Sequence, residues 1–63
     1  MEIIKMNVND IINNWKNFTN TNTVQDYADI YGDYDTEMTI CDFCDNYNYN
    51  GDVYRYLYNS YNL

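Results

Sequence analysis

Val8, Ile11, Ile12, Trp15 and Phe18 recur at i, i+3, i+4, i+7 and i+10, the apolar stripe of an amphipathic helix. Asn7 ahead of the stripe, with Asp10 three residues on, supplies an N-cap and a negative first turn, so the spacing predicts a first helix over about 8–18. The polar run Thr19-Asn20-Thr21-Asn22 reads as a connecting loop. Thr23 followed by Asp26 is a second capping signal, and Val24, Tyr27, Ala28 and Tyr31 repeat the helical stripe until Gly32 stops it. On that wheel Asp26, Asp29 and Asp33 lie about 180° from the stripe at roughly 100° per residue, an acidic ridge.

From Asp33 onward the pattern turns to period two. Asn50-Gly51 sits between Tyr47-Asn48-Tyr49 and Val53-Tyr54-Arg55-Tyr56-Leu57-Tyr58, a strong short-range hairpin signal. Strands are expected at about 37–43, with a bulged continuation to 49, and at about 52–58. Tyr47, Tyr49, Tyr54, Tyr56 and Tyr58 would then share one sheet face, with Val53, Arg55 and Leu57 on the other. The expected fold is α+β: two short N-terminal helices followed by an antiparallel β-hairpin.

A second alignment supports a different fold. Thr23 to Tyr31 matches Thr39 to Tyr47 at an offset of sixteen with four identities, and Ile40, Phe43, Cys44 and Tyr47 keep helical spacing. If the repeat is real, 39–47 is a third helix and the chain is a small all-α bundle. The α+β version is preferred because Asn-Gly has no comfortable place in the helical one.

Sixty-three residues make one domain, an acidic interaction module over 1–63. A chain this short hides only about 60% of the surface its unfolded form exposes, so its apolar side chains are largely committed to folding and function must come from the surface. The formal charge is −7, and it is localised. Glu2, Lys5, Asp10 and Lys16 cancel, whereas Asp26, Asp29, Asp33, Asp35, Glu37, Asp42, Asp45 and Asp52 have no base among them. That field repels phosphates and anionic lipid headgroups, which disfavours direct nucleic-acid or membrane binding and favours a basic protein. Twelve Asn and nine Tyr with no Pro resemble an AT-rich coding sequence, in which Lys should also be abundant, yet Lys appears only at 5 and 16; the shortage points to a selected negative surface. No run approaches the roughly 20 apolar residues of a membrane span. Met1 to Lys5 has neither the basic start nor the apolar run of a signal peptide, so a cytoplasmic location is expected, with both cysteines as thiols.

Candidate chemistry is sparse. Cys41-Asp42-Phe43-Cys44 is a CxxC, but a structural zinc site needs four ligands and the chain has no His and no other Cys. Asp33-Tyr34-Asp35-Thr36-Glu37 imitates the start of a calcium loop, with Met38 where Gly is needed and Cys44 where Glu is needed. No metal or other cofactor is expected. Without His, a phosphate loop or a nucleophile with a recognisable base, the chain is not expected to be an enzyme.

The informative feature is acids together with tyrosines. Tyr supplies large, fairly rigid contact area and a hydroxyl, and spread carboxylates present charge at spacings resembling a nucleic-acid backbone. Asp26, Asp29, Asp33, Asp35, Glu37, Asp42 and Asp45 are the expected phosphate surrogates, with Tyr34 and Tyr49 as anchors. Tyr27 and Tyr31 are expected in the core, and Tyr34, Tyr49 and Tyr61 exposed.

Very short, acidic, Tyr- and Asn-rich chains without enzyme motifs resemble phage or mobile-element inhibitors of host defence. Within that group, Met6-Asn7-Val8-Asn9-Asp10-Ile11-Ile12 is similar to the start of a type II-A anti-CRISPR protein that acts as a DNA mimic. The similarity covers seven residues of sixty-three and transfers no functional residue. It implies an inhibitor that blocks the DNA-binding site of a type II CRISPR effector nuclease carrying its guide RNA, where Arg and Lys read a short flanking motif. An alternative is a non-enzymatic interaction subunit, an antitoxin or adaptor, that uses an aromatic face. Either would be a monomer or weak homodimer.

Overall fold

In the computed structural model, which describes residues 7–61, Asn7 accepts the Asp10 backbone N–H on its side-chain oxygen at 3.2 Å and opens helix α1, Val8–Thr19. The readings made on Met1 to Lys5, and on Met6, lie outside the described residues. Helix α1 ends at Asn20, whose left-handed backbone (φ 61°) lets its N–H reach the Lys16 carbonyl at 2.8 Å. Thr23 caps α2, Val24–Tyr31, by accepting from the Asp26 N–H at 3.0 Å.

Gly32 ends α2 and begins α3, Asp33–Tyr47, without an intervening loop. Its N–H donates to the Ala28 carbonyl at 2.8 Å, and its own carbonyl accepts both the Thr36 N–H (3.1 Å) and the Thr36 hydroxyl (2.6 Å). A φ of 93° with ψ of 174° makes this double role possible, a conformation only glycine adopts without strain. Asn48, left-handed at φ 59°, closes α3. Helix α4, Gly51–Tyr58, follows.

The α+β expectation is therefore overturned: the described residues form four helices and no strand, a small all-helical fold. The expected strands at 37–43 and 52–58 lie within α3 and α4. Asn50-Gly51 is not a hairpin turn. The Asn50 side chain accepts from the Asp52 and Val53 N–H groups at 3.0 and 3.3 Å, and Gly51 is the first helical residue. The alternation misled because Val53 and Leu57 are also i, i+4 neighbours, and burying those two satisfies the core with the tyrosines left around them. No common tyrosine face forms; Tyr54 and Tyr58 instead stack as i, i+4 partners, interplanar angle 8°.

Helix α3 is central and packs against both α2 and α4. The buried core draws on every helix: Ile11 and Trp15 from α1, Val24 and Ala28 from α2, Ile40, Phe43 and Cys44 from α3, Val53 and Leu57 from α4. Trp15 joins three helices, its ring standing edge-on to Tyr27 (5.6 Å) and to Phe43 (5.2 Å). Two buttresses tie the periphery down. Asn14 donates to the Tyr49 hydroxyl at 2.7 Å, and the Tyr27 and Thr39 hydroxyls share a hydrogen bond of 2.8 Å.

Candidate protein-docking surface

Because α2 and α3 are separate helices meeting at Gly32, the acidic ridge expected over Asp26, Asp29 and Asp33 is split. Asp26 and Asp29 are exposed on α2, where Asp29 accepts from the Gln25 side chain at 2.9 Å. Asp33 opens α3 and accepts the Tyr61 hydroxyl at 2.9 Å, a contact that fastens the end of the chain to the start of the central helix. Desolvation, and after it the bond to Asp33, raise the Tyr61 phenol well above its ordinary value of 10.0.

The longer acidic face belongs to α3. At about 100° per residue, Tyr34, Met38, Asp42, Asp45 and Asp35 fall within an arc of roughly 100° on the side away from Ile40, Phe43 and Cys44. All five are exposed, Tyr34 to 72% and Met38 to 52%. Glu37 is set apart from them. It is half-buried on the flank toward α4, where its charge acts on Tyr54 and Tyr61.

Of the two expected anchors, Tyr34 stands free on the surface and Tyr49 does not. Tyr49 is half-buried, bonded to Asn14, and stacked on Tyr47 at an interplanar angle of 11°. Tyr61, expected to be exposed, is likewise half-buried, while Tyr31, expected in the core, is 52% exposed. Met38 was not singled out from the sequence. The signal was there in the spacing Tyr34, Met38, Cys41, but it is visible only once 33–47 is read as a helix.

The cysteines sit on different levels of α3, Cys41 exposed and Cys44 buried. Burial first, then the nearby Cys41 and Asp45, push the Cys44 thiol above its ordinary value of 9.0 and make it a poor nucleophile. Among the described residues, no group of three or more Cys, Asp or Glu side chains is placed to hold a metal ion. No described helix is long and apolar enough to cross a membrane.

A groove of about 1040 Å³ runs on another side of the molecule, between α1 and α4 with the connection that precedes α4. Its lining mixes Asp10 and Asp52 with Arg55 and several asparagines, so it lacks a field of one sign. No family model, curated protein or solved structure matches this chain.

Proposed function

We propose that this protein inhibits a nucleic-acid-binding protein by occupying its basic groove, with the exposed carboxylates of α2 and α3 standing in for phosphates. The target proposed is a type II CRISPR effector nuclease carrying its guide RNA in the host-cell cytoplasm. The supporting observation is where the acids lie. Negative charge near a helix C-terminus opposes the helix dipole, yet the last turns of α2 and α3 contain no base, and Asp29 and Asp45 stand close to those ends. Asp26, Asp33 and Asp35 suit the first turns in which they stand, but Asp29 and Asp45, placed where helix electrostatics disfavours them, fit a surface selected for a cationic partner. Its action is occupancy of a site, with no chemistry of its own.

The test is capture of the nuclease–guide complex by the tagged protein, washed in rising salt and challenged with duplex target DNA. The expected outcome is capture that pre-bound DNA excludes, that falls with ionic strength, and that Asp42→Lys/Asp45→Lys abolishes without loss of helicity. Capture that survives this double reversal would remove α3 from the contact. A second reading, an interaction subunit with an apolar contact, draws on the exposed Tyr31 and Tyr58; it predicts binding that resists both salt and DNA.

A further inference from the structure

Tyr34 and Met38 are the exposed large hydrophobic side chains of α3, and neither belongs to the core. They stand one helical turn apart, about 6 Å along the axis, with Cys41 another turn on. Asp35, Asp42 and Asp45 flank them on the same outer face. The strip is held rigidly from behind. Thr36, Ile40, Phe43 and Cys44 anchor α3 in the core, and the Tyr61 hydroxyl bonds Asp33 at the start of the helix.

Covering an exposed apolar pair removes its surface from water and is favourable, and the flanking carboxylates decide what can cover it. A second copy of this chain would bring its own charge of −7 against these acids, and an anionic lipid surface would meet the same repulsion. A bare polycation would satisfy the acids and leave Tyr34 and Met38 wet. We infer that this face docks a cationic protein segment that carries apolar side chains between its Lys and Arg residues, with Tyr34 and Met38 seated against those side chains and Asp35, Asp42 and Asp45 paired with the bases. The inference rests on the proposed function only in taking the partner to be cationic. It adds that the partner's basic site contains an apolar socket, so that charge steers the encounter and the Tyr–Met pair sets the lifetime.

Two synthetic helical peptides of equal positive charge test it, one built from Lys and Leu and the other from Lys and Ser. Each is titrated into the isotope-labelled protein while backbone and methyl resonances are followed. The Lys/Leu peptide is expected to bind more tightly and to perturb Tyr34 and Met38 foremost. Tyr34→Ala/Met38→Ala is expected to weaken the Lys/Leu peptide by about tenfold, the size of a truncated anchor, and to leave the Lys/Ser peptide within about twofold. Both positions are exposed, so an unchanged circular dichroism spectrum is expected for the variant. Equal affinity for the two peptides, perturbations confined to another face, or concentration-dependent self-association through these residues would each overturn the inference. Failure to capture a nuclease would not bear on this result, and failure of the peptide preference would leave the nuclease test standing.

Discussion

Five of the twelve asparagines stand at helix boundaries: Asn7 and Asn50 as N-caps, and Asn20, Asn48 and Asn59 as C-caps. Asn suits both ends, because its side-chain oxygen accepts orphan N–H groups and its short amide tolerates the left-handed region. Coding bias therefore does not exhaust the meaning of an Asn-rich composition; the asparagines punctuate the helices. Asn50 and Gly51 give the sharpest test at this scale. Removing the cap with Asn50→Ala should cost about 1 kcal/mol. Gly51→Ala should stabilise by a few tenths to about 1 kcal/mol, since nothing lies within 4 Å of an added Cβ and the residue is helical. In a hairpin turn of the expected kind Gly51 would need positive φ and the same change would be costly. Urea midpoints for the two variants decide it, and a destabilised Gly51→Ala would return the hairpin.

Helix α3 carries both a structural and a proposed binding role, and its two faces are chemically distinct. The inner face is locked by Phe43 and Ile40, both fully buried, while the outer face collects the acids and the Tyr–Met pair. On that outer face Asp35 suits the dipole at the start of the helix, but Asp45 near its end opposes it. Asp45→Lys places a base in the last turn of α3, where the dipole favours it, and should raise the melting temperature by about 2–4 °C. The same change should weaken binding to the cationic partner. A variant that gains stability and loses binding would separate the two roles; one that loses stability would mean Asp45 supports the fold.

Across the whole molecule, a small core is closed by tyrosines at its rim, and this makes the fold sensitive to alkali. The Tyr61 phenol is raised above 10.0, chiefly by desolvation and then by its bond to Asp33, and Tyr54 is raised by desolvation and its contact with Cys41. Burial raises the Cys44 thiol in the same direction. Below the ordinary values of these groups, folded and unfolded chains hold the same protons and the contribution to stability is complete. Above them the unfolded chain ionises first, so stability falls as pH rises. Denaturant midpoints should decline from about pH 9 upward, and Tyr61→Phe should make the decline shallower. An equal slope in the two proteins would mean that Tyr61 does not contribute.

The first half of this architecture was legible in residue order. Asn7, Thr23 and Gly32 announce helix boundaries by chemistry that acts within four residues, and the stripes from Val8 to Phe18 and from Val24 to Tyr31 carry one period only. That most of the carboxylates would face water was legible too, since Asp is seldom buried unpaired; which tyrosines join them was not, for Tyr34 is exposed as expected whereas Tyr49 and Tyr61 are half-buried and Tyr31 is exposed. Residues 33–58 were not legible in the same way. Val53, Tyr54, Tyr56, Leu57 and Tyr58 satisfy period two and period 3.6 together, and Asn-Gly serves a hairpin or a helix start equally well. Only the packing chose. Burying Ile40, Phe43, Val53 and Leu57 around Trp15 requires the helical period, and that choice also turned Tyr49 inward, left Tyr34 and Met38 outward, and moved Asp33 from one helix to the next.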